Sequence, residues 1–134
     1  MMKKRRLYYK LFFIFLISTF VMSTIYRSYI YGNNINDYGL ADIFPNIGAV
    51  ITASFLFMAK AQYEEYKDEL IVILGSVLGF IAYEFIQIKL PIGTFDWKDI
   101  IGTIIGGIIT FLIHKFLMIK FDLKDKISKT NHDT

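Results

Sequence analysis

The sequence predicts an all-α membrane protein: a bundle of four transmembrane helices with the N- and C-termini in the cytoplasm. Hydrophobic residues make up 54% of the 134 residues, and the mean hydropathy is +0.44, above that of a typical soluble domain. The charged residues cluster in short runs between four long apolar stretches instead of alternating with apolar residues. Each stretch is close to the roughly 20 residues that cross about 30 Å of hydrocarbon.

The charge runs divide the chain into three parts. A basic cytoplasmic N-terminus over 1–10 precedes a transmembrane domain over 11–119, and a charged cytoplasmic tail over 120–134 is expected to be frayed or disordered. The predicted spans are 11–26, 43–59, 70–88 and 100–119. The first span also resembles a secretory signal, but it lacks a clear cleavage site, so we expect an uncleaved helix.

The loops between these spans are polar or turn-rich. Residues 27–39 are predicted to form a loop, and Asp42 and Pro45 suit the start of the second helix. The charge run from Glu64 to Glu69 is predicted to be a solvated turn.

Lysine and arginine are distributed unequally between the two sides of this bundle. The two terminal ends, with Lys115 near the end of the fourth span counted there, and the loop between the second and third spans hold twelve of them. The other two loops hold three, Arg27, Lys89 and Lys98. The side rich in these cations normally stays in the cytoplasm. The sequence therefore predicts a multi-pass protein of the inner or plasma membrane. We call the cation-rich side the basic end. The net charge of +3 then reflects the orientation of the protein in the membrane, and we expect no nucleic-acid partner.

Acidic and amide side chains from three different spans lie at the opposite side, which we call the acidic end. The candidate ligand-binding residues are Asp42, Asn46, Glu84, Gln87, Asp96, Asp99 and Thr103. Helix phase turns them toward other helices, because lipid offers polar groups no partners. Glu84 lies five residues before Lys89, about 7 Å inside the boundary, and an intramembrane carboxyl is by default a functional candidate.

Simpler structural roles stand beside this interpretation. Each of the three aspartates could cap a helix, and Gln87 could join two helices. Pairing with Lys89 or Lys98 would lower the cost of burying Glu84. His114 lies near the basic end with no second ligand at metal spacing, so we expect a packed or interfacial histidine.

Other sequence features exclude several classes of chemistry. The chain has no cysteine, which removes disulfides, thiol nucleophiles and thiolate metal sites. No phosphate-binding glycine loop and no Ser-His-Asp order is visible, so we expect no cofactor and name no catalytic residue. The segments GSVLG (75–79) and GTIIG (102–106) have the spacing that lets helix backbones approach closely.

The region from about Tyr38 to Leu112 resembles the VanZ-like membrane proteins. The matching segments are DIFPN (42–46), EFIQ (84–87) and FDWKD (95–99), followed by TIIGG (103–107). The resemblance implies a bacterial four-helix protein of poorly defined activity, related to a founding member linked to low-level teicoplanin resistance. Thr103 stands where the family usually has asparagine, and residues 92–94 lack an arginine that the family often has there.

The functional hypothesis is a pocket at the acidic end that binds a lipid-linked envelope component or an amphiphilic antibiotic. Three alternatives stay open: an acid/base or metal-dependent enzyme on a lipid headgroup, a small transporter, and an accessory subunit. The transporter would need a polar path to the basic end, where the sequence indicates no acid near Thr110 and His114. The sequence leaves the oligomeric state open.

Overall fold

The computed structural model describes residues 2–61, 63, 65–89 and 95–130, and all regular structure in these ranges is helical. The elements are α1 (Met2–Val21), a π-helical turn (Met22–Tyr26), α2 (Arg27–Gly32), α3 (Leu40–Ala61), α4 (Tyr66–Gln87) and α5 (Trp97–Thr130). The first three form one continuous span, Lys3–Gly32. With α3, α4 and α5 this makes four described helices long and apolar enough to cross a membrane, which confirms the predicted fold class.

The helices extend beyond the predicted apolar spans at most of their ends. The first span begins in the predicted basic N-terminus and continues to Gly32, so the predicted loop over 27–39 is half helical. Pro45 lies inside α3, beyond its first turn. The predicted tail is helical as far as Thr130. The reason is that lysine, arginine and glutamate are good helix formers, so hydropathy marks the membrane window and not the helix ends.

Helices α3 and α5 pack along each other at the centre of the bundle. The first span packs on α3, and α4 packs on both α5 and α3. A compact apolar cluster fills the basic half, made of Tyr8, Ile51, Phe55, Met58, Ala59 and Ile73. Many large apolar side chains point outward, among them Phe13, Phe20, Leu74 and Phe116, as expected of surfaces that face lipid.

The turn before α3 is held by Asp37 rather than by Asp42. The two carboxylate oxygens of Asp37 accept hydrogen bonds from the backbone N–H of Gly39 at 3.0 Å and of Ala41 at 2.7 Å. Asp37 therefore satisfies donors that the helix start leaves free. The predicted capping role of Asp42 is wrong, and its side chain is available for other contacts.

Candidate functional site

The acidic end is built around three helix ends, and Asp42 occupies its rim. Its carboxylate lies 3.4 Å from Nη2 of Arg27 and 3.6 Å from Nζ of Lys98, and it accepts a hydrogen bond from the Tyr31 hydroxyl. The Arg27 guanidinium also lies over the Tyr31 ring, 5.5 Å from its centroid. Lys98 is thus paired with Asp42 and not with Glu84. The charge of Asp42 is balanced inside the protein.

A hydrogen bond between Asn46 and Asp99 joins α3 to α5. Nδ2 of Asn46 donates to Oδ1 of Asp99 over 2.7 Å. Gly102, one turn below, allows this approach: a Cβ there would lie 3.0 Å from the Asn46 Cβ and 2.7 Å from the Ile43 carbonyl oxygen. Asp99 therefore links two helices, and its predicted capping role is wrong.

Asp96 does cap α5, as one of the two alternatives predicted. Its Oδ1 accepts a hydrogen bond from the Lys98 backbone N–H at 2.9 Å, and its carbonyl oxygen accepts one from the Asp99 N–H at 3.0 Å. These contacts place the Asp96 carboxylate at the mouth of the acidic end, beside the Asp99 carboxylate. A carboxylate at a helix N-terminus is stabilised by the helix dipole.

Glu84 carries a buried carboxyl group of which one oxygen is hydrogen-bonded. Its side chain is 4% exposed, and Oε1 accepts a hydrogen bond from Gln87 Nε2 at 3.1 Å. Within the described ranges, Oε2 is buried and has no hydrogen-bond partner. Asp96 and Asp99 lie close enough to act on Glu84 electrostatically. A buried carboxyl oxygen without a donor is costly unless something else supplies one.

Thr103 lies one turn inside Asp99 and is 1% exposed. Its hydroxyl is another buried group with no hydrogen-bond partner among the residues that the structure describes. The structure thus connects the predicted residues around Asp99: Asn46 by a hydrogen bond, Asp42 and Asp96 electrostatically. Glu84, with Gln87, lies on the α4 side of the same end.

A second buried polar cluster, which the sequence did not predict, lies at the basic end. Glu69 is 1% exposed, contrary to its predicted place in a solvated turn, and His114 is fully buried. One oxygen of Glu69 lies 2.7 Å from His114 Nε2 and accepts a hydrogen bond from the Tyr8 hydroxyl at 3.1 Å. Its other oxygen lies 2.8 Å from Nζ of Lys4. The cluster ties α1, α4 and α5 together.

Equal spacing along two helices is the signal that could have found this cluster. Glu69 and Glu84 are fifteen residues apart on α4, and Asp99 and His114 are fifteen apart on α5. Fifteen residues rise about 22 Å. Because α4 and α5 run in opposite directions, any arrangement that brings Glu84 near Asp99 also brings Glu69 near His114. The prediction failed because it started the third helix at 70, which left Glu69 outside it.

The two polar clusters are separated by tightly packed backbone. A Cβ at Gly106 would lie 2.7 Å from the Ile47 carbonyl oxygen, and a Cβ at Gly107 would lie 2.4 Å from Cγ2 of Val77. The Thr110 hydroxyl already donates a hydrogen bond to the Gly106 carbonyl oxygen at 2.7 Å. The basic end therefore has the acid that the transporter alternative lacked, Glu69, but close packing of α5 against α3 and α4 lies between the two ends in the described part of the chain.

The described residues contain no group of three or more histidine or acidic side chains arranged to hold a metal ion. The chain matches no family model, no curated protein and no solved structure. The resemblance to the VanZ-like proteins thus stays a prediction from the residues themselves.

Proposed function

We propose that the acidic end binds the cationic or strongly polar headgroup of an amphiphile that reaches it from the outer leaflet. A lipid-linked precursor of the cell envelope or an amphiphilic antibiotic has the required combination of headgroup and tail. The observation that carries this proposal is the buried Glu84 carboxyl, whose Oε2 has no partner among the described residues.

The balance of charge at the acidic end supports a cationic ligand. Four of the candidate ligand-binding residues carry a carboxyl group: Asp42, Glu84, Asp96 and Asp99. Within the described ranges, two cations form ion pairs with these carboxyl groups. They are Arg27 and Lys98, and both pair with Asp42. The field from Asp96 and Asp99 acts on Glu84 without a compensating cation there. A ligand cation would relieve this repulsion and supply the missing donor.

The depth of the site supports an amphiphile over a freely soluble ion. Glu84 lies in the last turn of α4, inside the membrane window of that helix. Phe85, Ile86 and Ile88, which flank it, are exposed and apolar, as lipid-facing residues are. A ligand whose tail stays in lipid can present its headgroup at this depth. This function accords with a VanZ-like protein of the inner or plasma membrane acting in glycopeptide resistance.

Binding is favoured here over catalysis. Asp99, the natural partner of Glu84 in an acid/base pair, already accepts a hydrogen bond from Asn46. The metal-dependent alternative lacks a suitable ligand group within the described residues.

A direct binding test uses the only tryptophan, Trp97, as its reporter. Trp97 is 62% exposed and begins α5 beside Asp96. The protein in lipid nanodiscs is titrated with dodecylammonium, whose –NH3+ group can donate hydrogen bonds, and with neutral dodecyl maltoside, which has the same chain length. We expect the cationic probe to change Trp97 emission at a concentration at least about tenfold lower, as one charge-assisted hydrogen bond implies.

Matched variants separate the site from general membrane charge. Glu84→Gln should remove most of the preference for the cationic probe. Glu65→Gln, the same substitution at an exposed position of the basic end, should leave it unchanged. Equal responses to the two probes, or equal behaviour of the two variants, would refute the proposal.

A cellular test addresses the antibiotic and envelope ligands. A strain lacking the protein is complemented with the wild type, Glu84→Gln, Asp99→Asn or Asn46→Ala, and its teicoplanin susceptibility and envelope integrity are measured. We expect the variants to behave like the empty vector while membrane levels of the protein stay normal. Full complementation by all three variants would contradict a role for the acidic end.

A further inference from the structure

A long apolar groove runs between α3 and α4, and none of the residues that line it belongs to either polar cluster. Its volume is about 780 Å³, within the roughly 300–1,000 Å³ of typical ligand pockets. Residues that define it are Phe57, Lys60, Gly75, Gly79, Phe80 and Tyr83. A Cβ at Gly75 or at Gly79 would meet no atom within 4 Å, so these glycines form an open floor and not a helix contact.

The two ends of the groove differ in chemistry. Lys60 in the last turn of α3 and Tyr63 lie where the groove reaches the basic end, at the level of the lipid headgroups. The α4 side of the groove, from Val72 to Tyr83, covers twelve residues, which rise about 16 Å along the helix axis. That length is close to half of the roughly 30 Å hydrocarbon core, which is about the length that one acyl chain covers.

We propose that this groove holds one acyl chain of an anionic phospholipid, with its phosphate on Lys60. The leaflet at the basic end, predicted to be cytoplasmic, is the one rich in anionic lipid, and a lysine at its surface attracts such headgroups. The floor of glycines lets the chain lie against the α4 backbone, while Phe57 and Phe80 line its sides. This site is independent of the acidic end.

A second copy of the chain fits the groove less well. Two copies in one membrane share the same orientation, so a twofold interface brings together residues of equal depth. Lys60 would then face the Lys60 of the other copy, and like charges at close range repel. An anionic headgroup is instead attracted to Lys60. The α4 side of the groove, about 16 Å long, also suits an acyl chain better than a whole transmembrane helix.

A fluorescent reporter inside the groove tests this proposal. The variant Phe80→Trp with Trp97→Phe carries a single tryptophan in the groove. It is placed in nanodiscs containing phosphatidylglycerol or phosphatidylcholine with brominated acyl chains, which quench tryptophan on contact. We expect the anionic lipid to quench at roughly fivefold lower mole fraction, the effect of about one lysine near the surface.

Three further substitutions define the result. Lys60→Gln should abolish the preference for the anionic lipid, and Lys67→Gln, which removes an equal charge paired with Glu65 outside the groove, should not. Gly79→Leu should reduce quenching by both lipids, because its side chain occupies the floor.

Equal quenching by both lipids overturns the proposal, as does a Lys67→Gln effect equal to that of Lys60→Gln. So does protection from both lipids that accompanies concentration-dependent cross-linking of two copies. Native mass spectrometry of the otherwise unaltered chain, comparing retained phosphatidylglycerol in the Lys60→Gln and Lys67→Gln variants, gives the same decision if the reporter variant fails to fold.

Discussion

Two glycine pairs with the same sequence spacing make different contacts, which predicts different effects of the same substitution. A Cβ at Gly106 would lie 2.7 Å from the Ile47 carbonyl oxygen, about 0.7 Å closer than the 3.4 Å at which ordinary contact begins. A Cβ at Gly79 would meet nothing within 4 Å. The glycines of GTIIG therefore lie at a packing contact of α3 and α5, whereas the glycines of GSVLG face open space.

The magnitude follows from two opposing effects. The atom that a Cβ at Gly106 would meet belongs to the backbone, so only a separation of α3 from α5 relieves the clash, and such overpacking costs about 1–3 kcal/mol. Replacing glycine by alanine inside a helix contributes up to about 1 kcal/mol in the other direction. We expect Gly106→Ala to lower the free energy of unfolding by roughly 1–2 kcal/mol and Gly79→Ala to raise it by up to about 1 kcal/mol.

The assay is reversible unfolding in mixed micelles with increasing sodium dodecyl sulfate, followed by circular dichroism. Both variants carry the same chemical change in a membrane helix, so detergent effects on alanine itself cancel. Gly75→Ala, also at an open position, should behave like Gly79→Ala. If Gly106→Ala is no less stable than Gly79→Ala, the close approach of α3 and α5 is wrong.

Two further predictions use the same preparation, and a third uses cells. Glu69→Gln should lower the free energy of unfolding by roughly 3 kcal/mol, because it breaks a buried polar cluster, and a double-mutant cycle with His114→Asn should give a coupling of at least about 0.5 kcal/mol. Additive effects of these two changes would contradict their contact. Asp37→Ala should cost about 0.5–2 kcal/mol through loss of the cap on α3, as measured by the same titration. An impermeant thiol reagent should label a single cysteine at Tyr31 in intact cells and one at Ala61 only after the membrane is permeabilised, and labelling of Ala61 but not Tyr31 in intact cells would refute the predicted orientation.

The sequence was sufficient for those features that depend on hydropathy and helix phase. Four apolar windows predicted four spans, and the polar stripe Thr103, Gly106, Thr110 and His114 on α5 is buried as its phase predicted. Burial of Glu84 followed from the same reasoning, because a carboxyl inside the membrane window must turn away from lipid. Two features discussed in the sequence analysis lie outside the described residues. One is the absence of the family's arginine at residues 92–94, and the other is Glu64, the first residue of the predicted solvated turn.

Partner choice among polar groups could not be read from the sequence. Lys98 was an available partner for Glu84, but it pairs with Asp42, and Asp37 takes the capping role that Asp42 was expected to fill. Such choices depend on distances of a few ångströms, which follow from helix ends that hydropathy does not locate. The error in the predicted start of α4 had the largest consequence, because it left Glu69 outside the predicted helix.

The basic-end cluster has a consequence for the acidic end. Lipid gives two transmembrane helices little hydrophobic reason to prefer one register, so polar contacts and close packing must set it. Sliding α4 along α5 by one turn, about 5.4 Å, would separate Glu69 from His114 and move Val77 off Gly107. Because Glu69 has Lys4, Tyr8 and His114 around it, the basic end can fix the register alone. Glu84 is then held in the membrane window with Oε2 unsatisfied among the described residues, and under the proposed function the free energy of leaving it so becomes available to a ligand that supplies the donor.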